Sequence, residues 1–187
     1  MLDVRGRDVL VVGAGPVATQ KARGLIDEGA HVTVVAPEVS ATMLALAPQV
    51  IHTRAYETTD LDGRWLVLAA TGNPELQQRI HDEATQRRMW VNCADEPSRC
   101  SFILTAVHRT GPITLSVSTG GASPALAGWL RTRLAKAIPA NIEAVVTELQ
   151  VRRRALQDAG TSTEAIDWNP IIDELFERDG RRGPQQG

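Results

Sequence analysis

The chain has 187 residues, a length that suits one domain of ordinary size or one domain with a small helical addition. Its hydrophobic fraction of 43% and charged fraction of 22% are typical of a soluble globular protein, and a net charge of -2 gives no overall basic field for nucleic acid. Two cysteines, Cys93 and Cys100, are too few for a disulfide framework, which favours a reducing, cytoplasmic compartment. We expect no signal peptide and no membrane span, because no apolar run approaches the roughly 20 residues that a span requires.

The first hundred residues alternate between predicted strands and predicted helices. Short apolar runs rich in β-branched residues indicate buried strands. These strands are predicted at residues 8–12, 31–36, 50–56, 64–70 and 89–94. The intervening helices are predicted at residues 17–28, 40–47 and 73–88. This alternation predicts an α/β fold with a doubly wound parallel sheet.

The pattern changes after about residue 100. Two extended runs, 101–108 and 112–118, flank Arg109-Thr110-Gly111 and predict a strand pair. Further helices are predicted from the Ser123-Pro124 cap to about residue 137, over 139–158 and over 170–177, and Thr161 to Glu164 reads as a capping box. We therefore expect three regions. They are a nucleotide-binding domain (1–112), a helical dimerisation region (113–180) and a disordered tail (181–187).

A glycine fingerprint follows the first predicted strand. Gly13, Ala14, Gly15, Pro16 and Val17 begin a G-x-G-x-x-A motif that lies between a strand and a helix. The first glycine permits a tight turn, and the second lets the backbone approach a pyrophosphate at the helix N-terminus. The motif predicts a Rossmann-like dinucleotide site. The alternative is a glycine-rich turn that has lost its cofactor.

Four further residues lie at or just after the ends of strands in the same predicted sheet and are candidate cofactor contacts. Pro37 and Glu38 follow the second strand, where adenosine ribose hydroxyls are usually bound. No Arg or Lys stands there to receive a 2′-phosphate, which favours NAD over NADP. Thr71 and Asn92, which belong to the ends of the fourth and fifth strands, are expected near the nicotinamide half.

Asp95 comes directly after the fifth predicted strand. A carboxylate at this edge of the sheet could serve as a general base or hold a cation, so Asp95 is the candidate catalytic residue. The alternative is a structural aspartate, because Asp-Glu-Pro also favours a turn.

Four runs resemble the precorrin-2 dehydrogenase family, the dehydrogenase and ferrochelatase module of sirohaem synthase. They are V-V-G-A-G-P-V-A-T-Q-K-A, L-A-A-T-G-N-P-E-L-Q-Q-R-I, V-N-C-A-D-E-P-S-R-C-S-F-I and S-V-S-T-G-G-A-S-P-A-L-A-G-W-L-R. The resemblance implies NAD-dependent oxidation of precorrin-2 to sirohydrochlorin, followed in many members by insertion of Fe²⁺ to give sirohaem. It also implies a homodimer and an essential aspartate at Asp95.

The resemblance implies a substrate site in the second half of the chain. Ser118, Thr119, Gly120, Gly121 and Ser123 would line the tetrapyrrole cleft. The alternative is a tight turn followed by an ordinary helix cap. Four basic side chains could bind substrate carboxylates but fit solvated surface charges better. These side chains are Arg99, Arg109, Arg131 and Arg133.

The sequence also departs from the family pattern. Thr105 stands where the family often has proline, and we expect this chain to lack the methyltransferase domain that is often fused C-terminally in the family. We predict no resident metal site, because Cys93 and Cys100 lack zinc spacing and His108 fits a polar strand end better than a metal contact. Two alternatives stay open at this point. One is a dehydrogenase without chelatase activity, and the other is a non-catalytic NAD-sensing module.

Overall fold

The computed structural model describes residues 2–164 and 166–180, which form two compact units. The first unit ends at Leu104 and the second begins at Thr105. The boundary expected after residue 112 falls in the turn of a strand pair, and this pairing keeps both strands in the second unit. The tail at 181–187 lies outside the described residues. No helix within the described ranges is both long and apolar enough to cross a bilayer.

A parallel sheet of five strands forms the centre of the first unit. Its strands are β1 (Asp8–Val12), β2 (His31–Ala36), β3 (Val50–Thr53), β4 (Leu66–Ala69) and β5 (Trp90–Cys93). Their spatial order is β3-β2-β1-β4-β5, which confirms the predicted Rossmann-like α/β class. The direction of chain progression reverses between β1 and β4, so ligands of such sheets bind at the carboxyl ends of these two strands.

Strands β1, β2 and β4 are buried on both faces of the sheet, which explains why they are nearly continuous apolar runs, whereas β3 at the edge is partly exposed. The helices of the unit are α1 (Pro16–Asp27), α2 (Ala41–Leu44) and α3 (Pro74–Gln86). Alternate residues of β1 face opposite sides: Val9 and Val11 pack in one core with Ala18 of α1, whereas Leu10 packs in the other with Ile80 of α3. The packing fixes the start of α1 beside the end of β1.

Among its described residues, the second unit contains one antiparallel strand pair and three helices. They are β6 (Ala106–Thr110), β7 (Ile113–Val117), α4 (Pro124–Ala135), α5 (Ile142–Asp158) and α6 (Asn169–Gly180). Helix α4 packs on the strand pair and α5 packs on α6.

Two local predictions for this part of the chain are wrong. The strand expected from residue 101 begins at Ala106, because the Ser101 hydroxyl is bound to the backbone of Val91 instead. The capping box expected at Thr161 starts no helix. Helix α6 begins at Asn169, whose N–H donates to Asp167 Oδ1 at 3.0 Å.

Candidate dinucleotide site and carboxylate loop

Gly13 forms the tight turn at the end of β1. Its φ of +108° is a conformation that only glycine adopts readily, and its N–H donates to the Val35 carbonyl oxygen at 2.8 Å. A Cβ at this position would overlap the carbonyl oxygen of Ala70, just past β4. The absence of a side chain therefore lets the ends of β1, β2 and β4 converge.

Gly15 serves as the N-cap of α1 and leaves open space above the helix. Its φ is -78°, and no atom lies within 4 Å of the position that a Cβ would occupy. Pro16 begins the helix, Ala14 is buried and Val17 is 45% exposed. No acidic residue stands in the first turn to compete for the positive end of the helix. This bare backbone cradle fits the pyrophosphate of a dinucleotide.

The other predicted cofactor residues occupy the same edge of the sheet. Pro37 and Glu38 are exposed directly after β2, where a ribose could reach them. Thr71 follows β4, and its hydroxyl accepts a hydrogen bond from the Asn73 N–H at 3.1 Å. Asn73 in turn caps α3 by accepting two backbone N–H bonds. The Thr71 hydroxyl thus supports the local turn.

Asn92 is 4% exposed, and its side chain is bound to protein groups. Its Nδ2 donates to the Phe102 carbonyl oxygen at 2.9 Å, and its Oδ1 accepts from Lys21 Nζ at 3.0 Å. The Asn92 amide is thus already used within the protein, and its role as a cofactor contact stays a prediction. Sequence reasoning missed Lys21. The signal was its spacing, since it lies between the buried Ala18 and Leu25 on one face of α1.

Asp95 lies on the segment Ala94–Ser101, here called the carboxylate loop. Its side chain is exposed and its backbone is left-handed, with a φ of +61°. Several bonds hold the loop to β5. The Cys93 N–H donates to Cys100 Sγ at 3.2 Å, and the Val91 N–H donates to Ser101 Oγ at 2.7 Å. Burial raises the pKa of the Cys93 thiol to about 11, so this thiol stays protonated near neutral pH.

Three of the candidate carboxylate-binding arginines make local contacts. Arg99 lies 4.0 Å from the carboxylate of Glu96 in the same loop. In the second unit, Arg131 donates to the Thr132 hydroxyl at 3.0 Å, and the guanidinium of Arg133 lies 4.6 Å from the centre of a tryptophan ring. These contacts give the arginines a structural explanation without removing the predicted role.

The remaining basic candidates, His108 and Arg109, lie on β6. His108 is half-buried and Arg109 is exposed. Across residues 2–164 and 166–180, no three His, Cys, Asp or Glu side chains gather in a way that could hold a metal ion.

The second glycine cluster forms a turn that leads from β7 into α4. Gly120 and Gly121 have φ values of +62° and +87°, which favour glycine at both positions. Ser118 Oγ accepts from the Gly120 N–H at 3.1 Å, and Thr119 Oγ1 accepts from the Ser123 N–H at 3.0 Å. Ser123 caps α4 through its hydroxyl. The turn is therefore an ordered helix cap, and its role in substrate binding stays a prediction.

Comparison with known proteins places this geometry in a family. A model described as NAD(P)-binding matches residues 1–106, and a second, described as the central part of a sirohaem biosynthesis protein, matches residues 110–137. The chain belongs to the NAD(P)-binding family of sirohaem-biosynthesis proteins. The predicted dinucleotide cofactor is thereby confirmed.

Individual members of this sirohaem-biosynthesis family resemble most of the chain. Siroheme synthase 1 of Aeromonas hydrophila is 35% identical over 158 residues, covering 81% of this chain and 34% of the relative. Siroheme synthase of Ectopseudomonas mendocina is 43% identical over 138 residues, covering 73% of this chain and 30% of the relative. The chain thus spans about a third of the length of these curated relatives. The solved structure of SirC, a precorrin-2 dehydrogenase, superimposes with a TM-score of 0.67 and 27% identity, covering 95% of this chain and 86% of SirC.

Proposed function

We propose that this chain oxidises precorrin-2 to sirohydrochlorin with NAD as the electron acceptor. The observation that carries the proposal is the pairing, within one unit, of the bare glycine cradle at Gly13 and Gly15 with an exposed carboxylate at Asp95. Both follow strands of the same parallel sheet at its carboxyl edge, where dinucleotides and their substrates meet. The names of the relatives, precorrin-2 dehydrogenase and siroheme synthase, supply the substrate class.

The residues divide the chemistry between them. Bound NAD supplies a hydride acceptor. One C–H bond of the substrate breaks and its hydride leaves with both electrons, while a second hydrogen leaves as a proton, so that precorrin-2 and NAD yield sirohydrochlorin, NADH and a proton. The Asp95 carboxylate accepts this proton or stabilises the positive charge that precedes its loss. The N-terminus of α1 holds the pyrophosphate, and Glu38 binds the ribose and disfavours a 2′-phosphate.

In this proposal, the second unit binds carboxylate groups of the substrate. The turn of Ser118, Thr119, Gly120, Gly121 and Ser123 leads into the N-terminus of a helix of 12 residues. The positive end of such a helix favours anions. The two cysteines are free thiols, which agrees with the reducing, cytoplasmic location that we propose.

The first experiment is an anaerobic absorbance assay with freshly generated precorrin-2. We expect conversion to sirohydrochlorin on addition of NAD, with a lower kcat/KM for NADP. Absence of protein-dependent oxidation would overturn the proposal and favour the NAD-sensing alternative. Adding Fe²⁺ afterwards distinguishes two possible activities. Sirohaem formation faster than the protein-free rate identifies a chelatase, whereas sirohaem formation at the protein-free rate identifies a dehydrogenase only.

We also propose that two copies of the chain associate through the second unit. Only three of its described apolar residues are buried, namely Ala127, Val145 and Leu175. A unit with so small a core needs further burial to be stable. Large apolar side chains on α4 and α5 are exposed instead, including Trp129 at 54% and Val151 at 61%.

Light scattering after gel filtration tests this dimer. We expect twice the mass of one chain for the wild type, and the mass of one chain for Trp129→Glu, because a carboxylate in an apolar interface would be desolvated without a partner. Leu44→Glu is the matched control: Leu44 is 55% exposed on α2 of the first unit, and this variant should remain dimeric. A wild type that elutes with the mass of one chain contradicts the proposal.

A further inference from the structure

Lys21 occupies an unusual position for a lysine. It lies in the middle of α1, on the helix face that buries Ala18 and Leu25, and its side chain is half-buried. Burying an ammonium group costs free energy unless other groups compensate for the lost water. The chain has one other lysine, Lys136, which is exposed at the end of α4. The position of Lys21 therefore calls for a specific interaction.

A continuous set of hydrogen bonds joins Lys21 to the carboxylate loop. Its Nζ donates to Asn92 Oδ1 at 3.0 Å. The Asn92 Nδ2 donates to the Phe102 carbonyl oxygen at 2.9 Å and lies 3.4 Å from Cys100 Sγ. Asn92 itself stands on β5, three residues before Asp95. The bonds thus run from the helix that follows the glycine cradle, through Asn92, to the C-terminal end of the loop that carries the carboxylate.

The charge of Lys21 is not neutralised by its hydrogen-bond partner, because the Asn92 amide is neutral. The titratable groups that act on it are Cys100 and Asp95, both on the carboxylate loop. Burial lowers the pKa of Lys21 even though these two groups favour its charged form. Lys21 therefore places a half-buried positive charge within electrostatic reach of the exposed Asp95 carboxylate.

Asp95 needs such support because its backbone is left-handed, a conformation that costs a non-glycine residue free energy. We propose that Lys21 is a positioning residue for Asp95: it ties α1 to the carboxylate loop through Asn92 and supplies a positive charge that favours the carboxylate. This inference rests on the proposed function for its catalytic meaning. The mechanical link is a property of the chain alone. Because α1 also begins at the dinucleotide cradle, the link couples the cofactor-binding helix to the acid.

Hydrogen exchange tests the link without substrate. We expect Lys21→Met to increase deuterium uptake in peptides that cover Ala94–Ser101. Lys21→Arg should keep most of the wild-type protection from exchange in the same peptides. Lys136→Met is the matched control and should leave this uptake unchanged. Thermal melting identifies any variant that has lost the fold, and Lys21→Arg keeps the test decisive if Lys21→Met does not fold. Wild-type uptake in a folded Lys21→Met would overturn the proposal.

The pH profile of precorrin-2 oxidation tests the charge. For Lys21→Met we expect kcat/KM to fall on the order of 100-fold, because a displaced catalytic group is that costly. In the wild type, the lowered pKa means that Lys21 loses its charge as pH rises, so activity falls on the alkaline side. Lys21→Arg should move this alkaline limb to higher pH, since a guanidinium stays charged. Superimposable pH profiles for the wild type and Lys21→Arg would overturn the proposal about Lys21. A wild type that does not oxidise precorrin-2 would instead overturn the proposed function. The hydrogen-exchange result would then decide whether Lys21 holds the carboxylate loop.

Discussion

Replacement of Asp95 by Asn is expected to lower kcat for precorrin-2 oxidation by about 10²- to 10⁴-fold, the range attributed to a positioned general acid or base. Asn has nearly the same shape and also tolerates a positive φ, so the loop should keep its conformation. The affinity for NAD should stay at the wild-type value, because the carboxylate is assigned to the substrate. Anaerobic absorbance kinetics give kcat, and calorimetric titration gives the NAD affinity.

Glu96→Gln is the matched control for this prediction. Glu96 is the next residue of the same loop and carries the same charge, but its nearest cation is Arg99 at 4.0 Å. Loss of a generic negative charge would slow both variants equally, whereas a specific role slows Asp95→Asn alone. A wild-type kcat for Asp95→Asn would show that the carboxylate takes no part in the reaction. The proton would then leave by another group or to water.

Much of the first unit could be predicted from the sequence because its elements are marked locally. Strands β1, β2 and β4 are apolar runs, and the Asn73-Pro74 pair starts α3 where expected. The start of the strand pair was harder to predict. The segment Ser101–Thr105 has the composition of a strand, but the Ser101 hydroxyl binds the Val91 backbone and keeps that residue with the sheet of the first unit. Tertiary hydrogen bonds of this kind have no local pattern in the sequence.

In the candidate site, too, features with a local sequence motif could be predicted and features that depend on tertiary contacts could not. The glycine cradle is a motif whose residues are adjacent in sequence, so Gly13 and Gly15 could be assigned before the structure was known. The Lys21–Asn92 bond joins residues 71 positions apart and depends on which face of α1 is buried. For the same reason the sequence placed Asn92 at the strand end but could not indicate that its amide would be used within the protein. Motifs predict ligand-binding backbone well, and they predict buried polar partners poorly.

Replacing either glycine of the cradle by alanine should weaken NAD binding strongly. The two variants should differ in stability, because the two positions have different surroundings. Gly13→Ala would place a Cβ against the carbonyl group of Ala70, 2.8 Å from the carbonyl carbon. It would also force alanine into a backbone with a φ of +108°. We expect a loss of about 3 kcal/mol of stability from strain of this kind, which corresponds to a fall in Tm of about 10 °C. Dinucleotide binding should weaken as well, since the ends of β1 and β4 would be forced apart.

Gly15→Ala should leave the fold intact and weaken only the dinucleotide. Its φ of -78° suits alanine, and nothing lies within 4 Å of the added methyl group. The methyl group would instead occupy the space above the N-terminus of α1 that we assign to the pyrophosphate. Thermal melting should therefore separate Gly13→Ala from the wild type and leave Gly15→Ala close to it, while calorimetric titration with NAD shows weak binding for both. If Gly15→Ala binds NAD as tightly as the wild type, the pyrophosphate does not approach this loop, and the open space above α1 must have another explanation.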